Sequence, residues 1–144
     1  MKFGKKQRPK NYDNSIDIIY TIGKHLKIFH VNFASKFKKM AVLLSSDSEF
    51  KSQLEKFDKV IVKYYAGWCG TCKLFAPKYR RLSGDERFEG VTFLDVNAEE
   101  NELARKMAGV DNLPFFATFK NGELVEAKST SKEDQVVAMI ENIQ

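Results

Sequence analysis

The residues best suited to chemistry are the two cysteines of the chain, Cys69 and Cys72, which directly follow Trp68 in the stretch KYYAGWCGTCKLFAP. Two thiols with only two residues between them are typical of metal sites and of redox sites. A zinc site would need further ligands, which His25 and His30 could supply. Structural zinc sites usually keep their ligand pairs on compact, adjacent elements, so we expect no metal here.

The elements that must position these cysteines follow from the pattern of apolar residues. The segment AVLLS at 41–45 predicts a short strand, and VIVKYYA, interrupted only by Lys63, predicts a central strand covered on both faces. A helix follows the cysteines, and VTFLDV at 91–96 predicts the next strand. FFATFKNGELVEA then predicts two strands around an Asn-Gly turn, followed by a last helix.

Helix starts are indicated by polar residues that can cap a helix. Three pairs have a suitable spacing: Ser46 with Glu49, Asn97 with Glu100, and Thr130 with Glu133. Gly109 is placed to end the third helix, and Pro77 lies inside the second. The predicted order is βαβαβαββα over residues 40–144, an α/β domain.

Charge divides the chain into two unlike segments. Residues 1–39 carry ten Lys and Arg against two Asp, whereas residues 40–144 carry fourteen Lys and Arg against seventeen Asp and Glu. The net charge of +5 therefore belongs to the N-terminal extension alone. We expect no nucleic-acid binding by residues 40–144 and, since no apolar run approaches about 18 residues, no membrane span.

The basic extension, residues 1–39, does not resemble a domain. We favour the interpretation that it is disordered, or that it is upstream sequence before a natural start at Met40. The alternative is an amphipathic targeting helix with an apolar stripe through Ile19, Ile22, Leu26, Phe29 and Phe33. No signal peptide is evident and cysteine is scarce, so we expect a reducing compartment, most simply the cytoplasm.

The element order and the motifs together resemble the thioredoxin family over residues 40–144. In that family an aromatic-rich strand precedes Trp-Cys-Gly-Xaa-Cys-Lys, a proline follows, and an apolar residue with a cis-proline leads into a strand ending in Lys-Asn-Gly. The residues that fill these places are Trp68, Cys69, Gly70, Cys72, Lys73, Pro77, Leu113, Pro114, Lys120, Asn121 and Gly122. The resemblance implies a thioredoxin fold, with a central mixed sheet and helices on both faces.

The resemblance also implies a thiol–disulfide oxidoreductase that reduces protein disulfides through its Cys69–Cys72 pair. Cys69, at a strand-to-helix junction where unpaired N–H groups stabilise negative charge, is expected to attack the substrate. Cys72, one helical turn further on, is expected to resolve the mixed disulfide. Trp68, Gly70, Thr71, Leu113 and Pro114 are the expected substrate-contacting residues, although Trp68 could instead pack in the core and Pro114 could be an ordinary strand-entry proline.

Lys63 departs from the family pattern. It stands where the family usually has a buried Asp beneath the second cysteine, and Phe93 stands at the place of the family's nearby Lys. A lone cation is therefore expected here. Lys63 could deprotonate Cys72 as a neutral amine, stabilise thiolates as a cation, or extend its amine to water without a role.

Thr71 is a second departure, because the family commonly has a proline there. A hydroxyl that donates to a sulfur would stabilise the thiolate and hence the reduced form, so we expect this chain to be more oxidising than is usual in the family. A more oxidising disulfide oxidase or isomerase, and a non-catalytic interaction module with the same fold, are the alternative functions. The expected partners are disulfide-containing client proteins and an NADPH-dependent thioredoxin reductase, with no bound cofactor and a monomeric chain.

Overall fold

A computed structural model describes the backbone of residues 15–22 and 25–32, and residues 41–144 in full. The chain divides into two compact units, residues 1–38 and 39–144, which are described separately below. The cysteines and every other expected site residue belong to the second unit.

The first unit contains two strands, β1 (Ser15–Ile22) and β2 (His25–Asn32). They pair in antiparallel fashion, with Ser15 opposite Asn32 and Ile22 opposite His25. The amphipathic helix considered for this segment is therefore wrong at Ile19, Ile22, Leu26 and Phe29, which lie in the two strands, while Phe33 falls outside the described residues. These apolar residues also favour β-strands, because most of them are β-branched or aromatic.

The second unit has the predicted order of strands and helices. Its elements are β3 (Val42–Ser45), α1 (Asp47–Lys56), β4 (Lys59–Tyr65), α2 (Gly70–Ser83), β5 (Thr92–Asn97), α3 (Glu102–Ala108), β6 (Phe115–Lys120), β7 (Glu123–Ser129) and α4 (Glu133–Glu141). A short 3-10 helix, Glu86–Phe88, precedes β5.

These five strands form one mixed sheet in the order β3-β5-β4-β6-β7. The β3, β5 and β4 strands are parallel, β6 pairs with β4 in antiparallel fashion, and β7 pairs with β6 in antiparallel fashion. The β4 strand is central, as its near-continuous apolar sequence predicts.

Helices cover both faces of the sheet. One face packs Phe50 and Leu54 of α1 and Ala104 of α3 against Val62 and Leu94. The other face packs α2 and α4 against alternate residues of the same strands, among them Ile61, Phe93 and Phe116. Because successive residues of a strand point to opposite faces, each central strand contributes to both cores. The predicted α/β class and three-layer arrangement are confirmed.

The helix starts differ from the predicted capping pairs. Ser46 is the N-cap of α1, but its hydroxyl lies 2.9 Å from the Ser48 hydroxyl and caps no backbone N–H. The α3 helix begins at Glu102, after the predicted Asn97, and the carboxylate of Asp47 accepts hydrogen bonds from the N–H groups of Leu103 and Ala104 at 2.9 Å. A residue of α1 thus caps α3, which local sequence patterns cannot indicate.

The last helix also starts later than the predicted pair. The α4 helix begins at Glu133 with Lys132 as its N-cap, and Thr130 Oγ1 accepts a hydrogen bond from the N–H of Lys132 at 3.1 Å. Thr130 therefore organises the turn before the helix and does not cap it.

Two turns of the second unit agree with the sequence. Asn121 and Gly122 both have positive φ, 52° and 82°, which the two-residue turn between β6 and β7 requires. Gly109 ends α3 in the left-handed conformation with φ of 67°. Among residues 41–144, every helix is too short or too polar to cross a membrane.

Candidate active site

Cys69 and Cys72 are joined by a disulfide at the start of α2, with 5.3 Å between their Cα atoms. Cys69 is the N-cap of this helix, and Cys72 lies in its first turn. The strand-to-helix junction after β4 therefore places both thiols at one edge of the sheet. This is the position that the sequence predicts for them.

The start of α2 favours negative charge on Cys69. Cys69 Sγ accepts a hydrogen bond from the backbone N–H of Cys72 at 3.1 Å, and the first turn of the helix contains no acidic residue. N–H groups at a helix start stabilise a thiolate, which is the reactive form of cysteine. Cys69 is 5% exposed and Cys72 is 2% exposed, so in this oxidised form Cys72 is the more deeply buried sulfur.

A second loop, immediately before β6, approaches the disulfide. Leu113 packs against the small cluster formed by Ala66 and the two cysteines, and the Leu113–Pro114 peptide bond is cis, as predicted from the family resemblance. The carbonyl of Pro114 accepts hydrogen bonds from the N–H of Thr130 at 3.2 Å and from the hydroxyl of Ser129 at 3.1 Å. The loop is therefore tied to the end of β7 while it contacts the redox pair.

Trp68 lies on the surface beside the disulfide and does not pack in the core. Its side chain is 71% exposed, and its Nε1 donates a hydrogen bond to Glu99 Oε1 at 2.8 Å. A cavity of about 230 Å³ lies beside this indole and Leu113, and its lining also includes Arg105 and Asn112. The exposed indole and the adjoining cavity form a surface on which a substrate segment can rest.

Gly70 and Thr71 are the two exposed residues between the cysteines. A Cβ atom added to Gly70 would meet no atom within 4 Å, so this glycine leaves the approach to the disulfide open. Within residues 41–144 the Thr71 hydroxyl makes no hydrogen bond to either sulfur. The predicted stabilisation of a thiolate by Thr71 therefore has no counterpart in the oxidised form.

Lys63 is not the lone cation that the sequence suggested. Its Nζ lies 3.1 Å from Asp95 Oδ2, and the residue is 2% exposed, so its amine does not reach solvent. Lys63 on β4 and Asp95 on β5 stand opposite each other in the parallel register. A carboxylate–ammonium pair is therefore present, with the ammonium on β4 and the carboxylate on β5.

Two aromatic rings complete the surroundings of the Lys63 ammonium. Nζ lies 5.3 Å from the centre of the Tyr65 ring and 5.4 Å from that of Tyr79. The Tyr79 hydroxyl is within hydrogen-bonding distance of the carbonyls of Ile61 and Leu94, at 2.9 and 3.0 Å, which holds this ring against the sheet. A carboxylate and two aromatic rings therefore surround the ammonium.

Asp95 is the residue of this site that sequence reasoning missed. The alignment with the family pattern directed attention to Phe93, two residues earlier, which packs in the core. A signal was present, because Lys63 is the single charge in the segment VIVKYYA and Asp95 is the single charge in the segment VTFLDV. Opposite charges buried in two strands of one sheet are expected to pair.

The zinc alternative draws no support from the described residues. Cys69 and Cys72 are joined to each other, and no cluster of three or more potential ligands occurs in the described part of the chain. His25 and His30 lie in β2 of the first unit, where the structure describes the backbone alone.

Comparison with known proteins identifies the family. The sequence model of the thioredoxin family, described as "Thioredoxin", matches residues 41–142. Thioredoxin-1 of Schizosaccharomyces pombe is 37% identical over 87 residues, which cover 60% of this chain and 82% of that protein. The chloroplastic F-type thioredoxin of Brassica napus is 40% identical over 84 residues, covering 57% of this chain and 44% of that protein.

A solved structure agrees with the sequence comparisons. One chain from a complex of ferredoxin:thioredoxin reductase and thioredoxin f2 is 27% identical with a TM-score of 0.66, covering 74% of this chain and 97% of that one. The family match spans the disulfide, the cis-proline loop and all nine elements of the second unit. This chain belongs to the thioredoxin family.

Proposed function

We propose that this protein is a thiol–disulfide oxidoreductase that reduces disulfides of client proteins. The observation that carries the proposal is the Cys69–Cys72 disulfide at the start of α2, beside the Leu113–Pro114 loop. The two sulfurs already form one of the two states of a dithiol–disulfide cycle. The family membership supports the same chemistry.

The reaction begins with Cys69. Once the pair is reduced, the thiolate of Cys69 attacks one sulfur of the substrate disulfide and forms a mixed disulfide, releasing the first substrate thiolate. The hydrogen bond from the Cys72 N–H and the start of α2 stabilise the thiolate that makes this attack. Cys72 then attacks Cys69 Sγ, which restores the internal disulfide and releases the second substrate thiol.

Substrate docking involves Trp68, Leu113 and Pro114. An extended segment laid over the exposed indole would place its disulfide near Cys69, with the cavity between Trp68 and Leu113 accepting a neighbouring side chain. Gly70 and Thr71 are exposed at the same edge and leave room for this approach. The identity of the clients is set by this surface and not by the redox pair.

Recycling requires a second partner, a thioredoxin reductase. The solved complex of ferredoxin:thioredoxin reductase with thioredoxin f2 supports a reductase as the partner class. We propose an NADPH-dependent reductase, because the composition fits a reducing compartment and most simply the cytoplasm. Assays with an NADPH-dependent reductase and with a ferredoxin-dependent reductase would show which one reduces this protein. Fluorescence imaging of the full chain, tagged at its C-terminus, would test whether it lies in the cytoplasm.

The decisive test measures the reduction potential of the cysteine pair and the disulfide-reducing activity of the protein. The reduction potential of the Cys69–Cys72 pair, followed by Trp68 fluorescence across thiol–disulfide buffers, should be near the value of about −270 mV typical of thioredoxin. The same protein should reduce insulin disulfides in the presence of dithiothreitol, and Cys69→Ser should not. A potential above about −200 mV would favour disulfide oxidation or isomerisation, and the absence of a redox transition would overturn the proposal.

A further inference from the structure

A second cavity, which we call the strand-end cavity, lies at the carboxyl ends of the three parallel strands. Its volume is about 250 Å³, and it is lined by Leu44 and Ser45 of β3 and by the last residues of β4 and β5, Tyr65 and Asn97. In open α/β sheets, ligands bind in crevices outside the carboxyl ends of the strands. The cavity therefore occupies a position where binding sites are common, and no step of the proposed reaction uses it.

The strand-end cavity is close to the redox pair. Tyr65, which lines it, also packs against the small cluster formed by Ala66 and the two cysteines. The loop at residues 97–101 lines both this cavity and the cavity beside Trp68. A client segment whose disulfide meets Cys69 therefore passes near both cavities.

The lining of the strand-end cavity is negatively charged. Glu49 of α1, Asp95 and Glu100 all line it, and none of the described residues around it is a lysine or arginine. Asp95 is paired with Lys63, whereas Glu49 and Glu100 are exposed and neither carboxylate makes a hydrogen bond or ion pair within residues 41–144. Burial raises the pKa of the Tyr65 hydroxyl, and the charges of Asp95 and Glu100 raise it further. A ligand in this cavity therefore meets two carboxylates that have no cation of their own.

Two helices begin beside this cavity, but their N–H groups do not make it an anion site. Asn101 Oδ1 accepts a hydrogen bond from the N–H of Asp47 at the start of α1, at 2.8 Å. The carboxylate of Asp47 in turn accepts the N–H groups of Leu103 and Ala104 at the start of α3. These donors are already occupied, and the carboxylates of the lining repel an anion.

The polar atoms of the cavity call for a ligand that donates hydrogen bonds. Ser45 is 7% exposed, and its hydroxyl oxygen is buried with no hydrogen-bond partner within residues 41–144. A buried polar atom without a partner is costly and calls for an explanation. A ligand with several N–H groups would satisfy this oxygen as well as the carboxylates of Glu49 and Glu100.

The remaining walls suit the apolar stem of a long basic side chain. Leu44 is 73% exposed, and Tyr65 contributes an aromatic ring. Basic side chains lay their methylene groups along apolar surface, and the guanidinium of arginine has five N–H donors and packs well against aromatic rings. A metal ion fits less well, because no group of three or more acidic, His or Cys ligands occurs in the described part of the chain.

We propose that the strand-end cavity binds an arginine side chain of the client protein while the client's disulfide reacts with Cys69. The guanidinium pairs with the carboxylates of Glu49 and Glu100, and its stem lies along Leu44 and Tyr65. The preferred clients are therefore proteins that carry an arginine close to the disulfide that is reduced. This inference rests on the proposed function, because it names a preference among the clients of that reaction.

Synthetic peptides without tryptophan would measure this preference. Each peptide has an internal disulfide and, at successive positions on either side of it, carries either arginine or citrulline, which has nearly the same shape but no charge. Reduced protein is mixed with each peptide in a stopped-flow instrument, and the second-order rate constant of its oxidation is followed by Trp68 fluorescence. At one or more positions the arginine peptide should react about fivefold faster than the citrulline peptide, the size expected of exposed charge pairs. The ratio should fall as salt is added.

A pair of substitutions tests the assignment to this cavity. Glu49→Gln with Glu100→Gln removes both carboxylates and keeps their size, so the arginine-to-citrulline ratio should fall to about one. Glu55→Gln with Glu123→Gln is the matched control, because it removes two exposed carboxylates of α1 and β7 that do not line this cavity. The control should keep the wild-type ratio. An equal fall in both double variants would show that the general surface charge, and not this cavity, selects the peptide, and would overturn the inference.

The experiment also separates this inference from the proposed function. If wild type reduces both peptides at equal rates at every position, the inference is overturned and the proposed function stands. If wild type reduces neither the peptides nor insulin, the proposed function fails and the inference fails with it. Lysine at the most favourable position should give a rate between those of citrulline and arginine, because its ammonium has fewer donors and packs less well against a ring. A lysine peptide that reacts faster than the arginine peptide would overturn the assignment to arginine.

Discussion

At the disulfide, the two cysteines carry out the chemistry, and the exposed side chains beside them contact the substrate. Cys69 and Cys72 are almost fully buried in the oxidised form, so a substrate meets mainly the exposed residues beside them. Trp68 is the largest of these, and it is held by one hydrogen bond to Glu99. Recognition at this edge therefore depends on a residue that contributes little to the core.

Trp68→Ala should weaken reduction of protein disulfides while leaving small disulfides almost unaffected. The substitution removes exposed contact area, and large aromatic residues at contact surfaces typically account for about 2 kcal/mol or more of binding, which corresponds to roughly a thirtyfold rise in KM. Steady-state kinetics with insulin and with a small aromatic disulfide would measure both effects. Leu124→Ala, at an exposed apolar residue of β7, is the control and should change neither KM. An equal loss with both substrates would show that Trp68 acts on the redox pair instead.

At the scale of elements, the sequence predicts what depends on local patterns. The strand and helix order, the Asn121–Gly122 turn and the end of α3 at Gly109 all follow from residues near each other in the chain. Contacts between distant elements were not predictable in the same way. Asp47 caps α3 from α1, and Asp95 pairs with Lys63 across two parallel strands, because tertiary packing brings these residues together.

Asp47→Ala should destabilise the protein by about 1–2 kcal/mol, the usual loss for a helix N-cap. Its carboxylate accepts the N–H groups of Leu103 and Ala104, and no other side chain is described as accepting them. Glu49→Ala is a matched control, because Glu49 is also an acidic residue in the first turn of α1 but caps no helix. Urea unfolding should give a clear loss for Asp47→Ala and a change within about 0.5 kcal/mol for Glu49→Ala. Equal losses would mean that charge at the start of α1, and not capping of α3, stabilises this region.

Considered as a whole, the second unit combines an apolar framework with a charged pair in its sheet, in which Lys63 is buried and Asp95 is partly exposed. Both faces of the sheet carry large, fully buried side chains, and the chain order places the redox pair at the end of its central strand. The Lys63–Asp95 pair interrupts this framework directly below α2. Because an ionisable group with a perturbed pKa links folding to pH, the stability of the entire unit should report on Asp95.

Asp95 should make the wild type lose stability, relative to Asp95→Asn, as pH rises. Burial raises the pKa of the folded-state carboxyl above its unfolded value of about 3.9, so between these two pKa values the folded state binds more protons than the unfolded state. The favourable contribution is complete below the unfolded pKa and is lost as pH rises through the folded pKa. Urea unfolding of oxidised protein at intervals from pH 3.5 to 8 would measure the difference between the two proteins. That difference should move steadily in favour of Asp95→Asn and then level off, whereas Asp58→Asn should follow the wild type throughout. A difference that stays constant, or that moves in favour of the wild type as pH rises, would show that the Lys63 ammonium outweighs burial and holds Asp95 ionised.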